Sequence, residues 1–333
     1  MAQLSNVFES FDATGIREEL ADKIHNITPA ETPVLSMIEH GSIKTTHPEW
    51  QIDTLRTPVT TNNQPEGNEW SFDALTATTR IGNYAQISDQ KVNVSATLDE
   101  TNKAGRGSEL EYQVAKAGKE LKTDIEVTIL ANQASSAGTG NGATNRTSAG
   151  LRAWIASNDD MGGGGSSGSF SNGIQSAATN GTQRAFTKAI LDTVILNTYN
   201  AGGNPNTLVV SPYVKTVFSS FLDDANIVPL RANAEMKGKR ALIASAEVYV
   251  SDFGNISVLP NRQMARASGV ARNAFLIDPD MLKYGVFRDM KVHKVAKTGD
   301  AEKRVLNTEW TLLVNNEAAH GVAADLYGLT SSS

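Results

Sequence analysis

Two strings in a glycine- and serine-rich run match patterns that carry chemistry in other proteins. Gly164-Gly165-Ser166-Ser167-Gly168 fits the G-x-S-x-G pattern of a serine nucleophile, which needs a preceding strand and a following helix to expose its hydroxyl group. A G-x-G-x-x-G string beginning at Gly163 fits the dinucleotide-binding turn, which has the same requirement. Neither a strand nor a helix is predicted beside them, so we interpret both as chance matches.

Other catalytic patterns fail for similar reasons. Ser88-x-x-Lys91 fits a β-lactamase-type string but lies in a predicted strand. Asp252-Phe253-Gly254 fits a kinase metal-binding string, yet the chain offers no catalytic-loop partner for it. No phosphate-binding loop is found, because neither Gly118-Lys119 nor Gly238-Lys239 has a glycine at the required earlier position. We therefore predict that the protein is not an enzyme and has no catalytic residue.

Metal and cofactor sites are not predicted either. The chain has no cysteine, and none of its 5 histidines lies four residues from another. The acidic pairs Asp223/Asp224 and Asp278/Asp280 suit calcium or acid–base chemistry, but turn and helix-end roles are far commoner for aspartates in such positions. We expect no metal and no cofactor.

Length and composition indicate a globular protein. A chain of 333 residues with 40% hydrophobic and 20% charged residues can bury a sizeable core, and its length suggests about two domains. The first residues lack the pattern of a secretory signal, and no apolar run is long enough to cross a membrane. We expect a protein made in the cytoplasm that stays soluble or joins an assembly.

The net charge of −6 is unevenly distributed. Residues 231–304 contain 14 Lys+Arg and 8 Asp+Glu, a net of +6, so the remainder carries −12. Such asymmetry fits either a nucleic-acid face or complementary surfaces that meet in an oligomer. The basic residues are scattered and form no continuous run, so a solvated face is the favoured interpretation for most of them.

Apolar spacing predicts two helices and then a series of strands in the first 100 residues. Ile16, Leu20 and Ile24 form one stripe of a helix, and Thr32-Pro33 has the residue types that open a short second helix containing Leu35. Residues 42–100 alternate as strands do, interrupted by a polar stretch over 57–79 that nonetheless contains Trp70 and Phe72. So long an excursion is uncommon in a compact domain and is usually functional.

A long helix is predicted over residues 108–131. Ser108-x-x-Glu111 is a capping box, and Leu110, Val114, Ala117, Leu121, Ile125 and Ile129 follow at helical spacing. The charged residues from Lys116 to Glu126 are predicted to lie mostly on the opposite, solvent-facing side of the helix. Low-complexity segments at 134–150 and 157–182 predict surface loops. A helix–strand–helix unit over about 185–260 and closing strands between 248 and 314 complete an α+β chain.

Taken in order, these segments resemble a major capsid protein of tailed double-stranded DNA phages with the Hong Kong 97-type fold. The stretches that carry the resemblance are Ile24 to Ile38, Glu109 to Gln133, Gly150 to Ile155 and the C-terminal hairpin. The resemblance covers about residues 15–327. It rests on the order of the segments along the chain, since none of these stretches is a chemical signature.

The resemblance implies a domain plan and a function. Residues 1–41 would be an N-terminal arm, and 42–131 with 276–333 a peripheral domain that includes an extended loop (the E-loop, 57–79) and a spine helix. Residues 132–275 would be an inserted α/β axial domain. Hexamers and pentamers would assemble in the host cytoplasm into the icosahedral head of a virion. Expected contacts between subunits are Ile16, Leu20, Ile24, Leu35, Trp70 and Phe72.

The resemblance also implies partners. We expect the chain to bind copies of itself, a separate scaffolding protein, a portal, a decoration protein, and packaged DNA without sequence specificity, but no membrane. A separate scaffold is expected because the first helix begins near Gly15. Some members of the fold crosslink through an E-loop lysine, but no lysine lies between Lys44 and Lys91 here, so non-covalent joints are predicted. A tail tube subunit and, less favoured, a serine hydrolase with Ser166 as nucleophile remain the alternatives.

Overall fold

The computed structural model describes residues 27–70, 72, 74–171, 173–220, 235–236, 239–240, 247–267, 269–297 and 299–328. Within them, runs of strands and runs of helices are largely separate along the chain, and the sheets are mainly antiparallel, which fits the predicted α+β class. The helices are α1 (Pro33–Met37), α2 (Ala96–Glu100), α3 (Glu109–Leu130), α4 (Leu151–Trp154), α5 (Lys188–Asn200) and α6 (Pro212–Ser220). The strands are β1 (Glu39–Ser42), β2 (Glu49–Ile52), β3 (Thr79–Gly82), β4 (Gln86–Ser95), β5 (Asp159–Asp160), β6 (Ser169–Ser171), β7 (Ile174–Ser176), β8 (Thr207–Val210), β9 (Glu235–Met236), β10 (Lys239–Arg240), β11 (Val248–Ser251), β12 (Gly254–Pro260), β13 (Ala274–Ile277), β14 (Leu282–Lys294), β15 (Ala301–Val314) and β16 (Gly321–Ala323).

The long helix α3 confirms the prediction over 108–131. The Ser108 hydroxyl accepts a hydrogen bond from the backbone N–H of Glu111 at 3.3 Å, as an N-cap does. The carboxylate of Asp99, in α2, also caps this end by accepting from the N–H of Glu109 at 2.8 Å. Helix α2 corrects the prediction that residues 42–100 are entirely extended. It turns the chain at the end of β4 and brings Asp99 to the first turn of α3.

A four-stranded sheet in the order β1-β14-β15-β4 lies against α3. The Gln90 side chain donates to Glu120 on α3 at 3.0 Å, and Leu306 lies beside Gly118 on the same helix. The large core cluster between helix and sheet includes Trp310 and Leu121, both almost fully buried. The closing strands predicted over 286–314 are one long hairpin, β14–β15, whose register shifts at two irregularities.

A six-stranded sheet in the order β11-β12-β8-β13-β16-β5 forms the second layer, with a separate core cluster shared by α5 and α6. The strand of the helix–strand–helix unit predicted over about 185–260 is β8, whose four residues are all buried. Strand β16 lies within residues 276–333, all of which the expected domain plan places in the peripheral domain. It pairs with β13 and β5, so the chain returns to this sheet after the hairpin.

The low-complexity segments are more ordered than predicted. The hairpin β6–β7 and the isolated bridge between Ser166 and Thr179 lie within 157–182. The Asp325 carboxylate accepts from the N–H groups of Gly162 and Gly181 at 3.1 and 2.9 Å. A Cβ atom on Gly162 would lie 1.9 Å from the carbonyl oxygen of Thr182. The glycines therefore allow two backbone segments to approach closely. From composition alone, the same glycines predict a loop.

None of the helices in the described ranges is long and apolar enough to cross a membrane.

Candidate subunit-contact surfaces

The most exposed part of the described chain is the loop between β2 and β3, which we call the long loop (residues 53–78). Its ends are joined because β2 and β3 pair antiparallel from Glu49↔Gly82 to Ile52↔Thr79. Every described residue within it is exposed, including Trp70 at 82% and Phe72 at 92% relative exposure. Leu55 and Leu75 are equally open to solvent at 98% each. Large apolar side chains held this far from their own core mark a contact surface.

The base of the long loop is fixed to the body of the protein. The Trp50 indole N–H in β2 donates to the carbonyl oxygen of Asn315 at 3.1 Å. Its ring stacks on Trp154 with centroids 5.8 Å apart, and Trp154 stacks in turn on Phe170. The loop is therefore anchored where it leaves the protein and free of it along its length.

A second open surface is the side of the four-stranded sheet that faces away from α3, which we call the outer sheet face. Side chains of even-numbered residues in β15, such as Leu306, face the helix, so odd-numbered ones face outward. Register places the outward residues of β15 beside those of β4 and β14, for example Val305 beside Lys91 and His293. The face therefore carries Ile87, Asp89, Lys91, Arg288, Lys291, His293, Lys303, Val305 and Glu309.

The outer sheet face has an excess of positive charge. Its buried carboxylate, Glu309, accepts from Arg288 at 2.8 Å and also pairs with Arg146, which reaches over from the segment before α4. Its other carboxylate, Asp89, lies 3.1 Å from the ammonium group of Lys91. Both acidic groups are thus neutralised within the subunit, while Lys291 adds further positive charge.

A third feature is the seat of the N-terminal segment on α3. Thr32 occupies the predicted N-cap position of α1, and Pro33 is the first helical residue. The Thr32 side chain makes no capping hydrogen bond, and the first turn of α1 is capped by the carboxylate of Glu126 on α3. The two oxygens of Glu126 accept from the N–H groups of Val34 at 2.9 Å and Leu35 at 2.7 Å. The Asn261 amide donates to the same carboxylate at 2.7 Å.

Glu126 corrects its assignment to the solvent face of the helix, since it is fully buried. Burial raises the pKa of its carboxyl group, and the three hydrogen bonds that it accepts oppose that change. Residue type and spacing could not have identified it, because a glutamate next to the apolar stripe is usually a surface residue.

The residues expected at subunit contacts are found in different environments. Trp70 and Phe72 lie on the exposed long loop. Leu35 is 7% exposed and packs in the core of its own subunit, so it is not available for a contact between subunits. Its buried position follows from the bond between its N–H group and Glu126. Ile16, Leu20 and Ile24 lie outside the described residues.

The described residues show no arrangement for catalysis. The G-x-S-x-G string begins at Gly164, which has a φ of +81°. It is followed by loop and hairpin structure instead of a helix. No group of three or more His, Asp or Glu side chains in the described ranges could hold a metal ion.

Comparison with solved structures defines the class of the fold. A cyanophage A-1(L) capsid asymmetric unit matches with a TM-score of 0.65 and 15% identity, over 97% of this chain and 99% of that chain. A chain from Mycobacterium phage Adephagia matches with a TM-score of 0.56 and 17% identity, over 97% and 98%. The fold is therefore the Hong Kong 97-type fold of phage capsid proteins, as the sequence predicted.

Sequence comparison then identifies the family. Residues 4–327 match the model of the SU10 major capsid protein family, and the chain belongs to that family. A major capsid protein of Escherichia phage Phieco32 is 37% identical over 128 residues. That alignment covers 38% of this chain and 36% of the relative, so it spans about a third of the relative's length.

Proposed function

We propose that this protein is the major capsid protein of a tailed phage and assembles as hexamers and pentamers into the icosahedral head that encloses double-stranded DNA. The family match over residues 4–327 supports a capsid role. The observation that carries assembly is the long loop, whose large apolar side chains have no contact with their own core. Such a loop is unfavourable in an isolated monomer and favourable where neighbouring subunits bury it.

The domain plan belongs to the same proposal, with one revision. Residues 1–41 form the N-terminal arm, and the peripheral domain comprises 42–131 with the β14–β15 hairpin, the long loop and α3. The axial domain comprises 132–275. It also includes β16, since this strand completes the six-stranded sheet.

We further propose that the long loop of one subunit binds the outer sheet face of the next. Residues 53–79 contain Arg56 and four acidic residues, Asp53, Glu66, Glu69 and Asp73. The outer sheet face has the opposite charge excess and apolar patches at Ile87 and Val305. Two different surfaces that complement each other form a head-to-tail interface, which closes into rings when the rotation is exact.

This pairing gives the net-positive segment 231–304 a role at subunit joints, in preference to a dedicated DNA face. Lys291 and Lys303 of that segment lie on the outer sheet face. Contact with packaged DNA, a separate scaffolding protein, a portal, a decoration protein and assembly in the host cytoplasm remain part of the proposal.

Negative-stain electron microscopy of the purified protein tests the proposed function. We expect icosahedral shells or ring-shaped capsomers. Tubes would instead favour a tail tube subunit, and small monodisperse particles with esterase activity lost in Ser166→Ala would favour a hydrolase. Either result would overturn the proposal.

Charge reversal tests the pairing of the long loop with the outer sheet face. The double variant Glu66→Lys/Glu69→Lys and the double variant Lys91→Glu/Lys291→Glu should each lower the yield of assembled particles at least tenfold at 0.1 M salt. The four substitutions combined should recover much of the lost yield, because attraction is restored. Lys122→Glu, at an exposed position on α3, is the control and should assemble normally. Failure of the combined variant to recover any yield would contradict the pairing.

A further inference from the structure

The N-terminal segment is attached to the protein by three connected polar side chains, which we call the arm anchor (Glu126, Asn261 and Gln263). All three are fully buried. Glu126 accepts from the N–H groups of Val34 and Leu35 and from the Asn261 amide. The Asn261 side-chain oxygen accepts from the N–H group of Gln263 at 2.8 Å. The Gln263 amide completes the set by donating to the carbonyl oxygens of Pro29 and Glu31 at 3.1 and 3.3 Å.

The arm anchor joins three parts of the molecule that are far apart in sequence. Glu126 lies on α3, which supports the four-stranded sheet. Asn261 follows β12 in the six-stranded sheet, and its N–H group donates to the carbonyl oxygen of Val210 in β8 at 2.8 Å. The bonds to residues 29–35 therefore fix the arm segment relative to both sheets at once.

The arm anchor costs stability as well as providing it, which argues for a positional role. A buried carboxylate is expensive to desolvate, and among the described residues the hydrogen-bond donors on Glu126 are all neutral. A capping side chain at Thr32 would satisfy the first turn of α1 far more cheaply, yet the bonds are made by a residue about 90 positions away. The long-range bond does what a local cap cannot, because it sets where the segment lies.

We propose that Glu126, through Asn261 and Gln263, is the positioning residue that sets where residues 29–35 lie on the subunit, and thereby the geometry of assembly. This inference rests on the proposed capsid function. Glu126 acts through the backbone of α1, and this role requires no contact of its side chain with a neighbouring subunit.

Glu126→Gln tests the proposal with minimal change in shape. Its amide replaces one accepting oxygen by an NH₂ group that faces N–H donors, so at least one of the three bonds must be lost. The matched control is Asp124→Asn, which makes the same chemical change at an exposed position on the same helix. Because the chain has no cysteine, Ala30→Cys allows a single nitroxide label at an exposed position in the arm segment.

The readout is the electron paramagnetic resonance spectrum of the label, together with particle shape by electron microscopy. We expect the label to be immobilised in the parent and in Asp124→Asn, and to lose most of its immobilised component in Glu126→Gln while circular dichroism is unchanged. The Glu126→Gln particles should be of mixed size and shape. A folded Glu126→Gln protein with an unchanged spectrum, or with a mobile label and uniform shells, would overturn the inference.

If Glu126→Gln fails to fold, Gln263→Ala provides the second variant. It removes the bonds to Pro29 and Glu31, whose carbonyl oxygens then become accessible to water, and the 3.4 Å bond that its side-chain oxygen accepts from Arg266. A partial loss of the immobilised component is expected, and no loss would overturn the inference. Failure of the parent protein to form shells would count against the proposed function, whereas the label spectra would still show whether the arm anchor holds the segment.

Discussion

Single buried polar groups decide how this protein responds to pH, and His320 is the clearest case. It is fully buried where the chain enters β16, and its Nδ1 atom accepts from the N–H group of Asp278 at 3.3 Å. Its Nε2 atom has no hydrogen-bond partner among the described residues. Burial lowers the pKa of His320 from 6.5 to about 4, because the imidazolium form would lose its hydration.

The depressed pKa fixes the sign of a pH effect. Above pH 6.5 the imidazole is neutral in both folded and unfolded chains, so it costs nothing. As the pH falls from 6.5 toward 4 the unfolded chain takes up a proton that the folded chain does not, and stability falls. This group alone should make the protein about 2 kcal/mol less stable at pH 5 than at pH 7.

His320→Asn isolates this contribution. Asparagine keeps an oxygen near the position of Nδ1 for the Asp278 N–H group but cannot be protonated. The variant should be less stable at pH 7, since the smaller side chain leaves a gap, yet its urea midpoint should change less between pH 7 and pH 5 than that of the parent. Equal changes in the two proteins would show that His320 does not titrate in this range.

At the scale of elements, α3 contains one position that is not optimised for helix stability. Gly118 lies in the interior of the helix, where glycine is about 1 kcal/mol less favourable than alanine. An added Cβ would lie 3.7 Å from Cδ2 of Leu306, an ordinary contact distance. Gly118→Ala should therefore raise the free energy of unfolding by about 0.5–1 kcal/mol.

A contrasting glycine controls for the general effect of added methyl groups. Gly150, before α4, has the carbonyl oxygen of Ala131 only 2.1 Å from its would-be Cβ. Gly150→Ala must displace backbone and should lower stability. Thermal unfolding of both variants distinguishes the cases, and a destabilised Gly118→Ala would mean that the helix and β15 pack more tightly than this distance implies.

The elements differ in how well the sequence predicted them. Helix α3 and strand β8 follow directly from apolar spacing, because each buries a regular set of side chains. The full length of strand β14 does not follow from local pattern, because the end of its hairpin is exposed and charged and no apolar pattern continues there. The inward-facing Glu126 and the return of β16 to the six-stranded sheet depend on pairing between distant residues, which local patterns do not encode.

At the scale of the whole molecule, the long loop and the outer sheet face lie on one chain but do not cover each other. In the proposed pairing, each subunit offers one partner surface and needs another, so growth would proceed by head-to-tail contact. Attraction between exposed charges weakens as salt is added, so the strength of such a joint depends on ionic strength. The uneven charge of the chain, +6 over residues 231–304 and −12 elsewhere, has a natural role in such a joint.

The joints should also be non-covalent, because the long loop lacks an amine. No lysine lies between Lys44 and Lys91, so the loop has no side-chain amine with which to form an amide bond to a neighbour. Assembled particles boiled in SDS should migrate as a single band near the 35.6 kDa chain mass. Particles assembled from Ser71→Lys protein provide the comparison, since they carry an amine in the loop. A ladder of multimers from the parent protein would contradict the prediction and indicate crosslinking through a different residue.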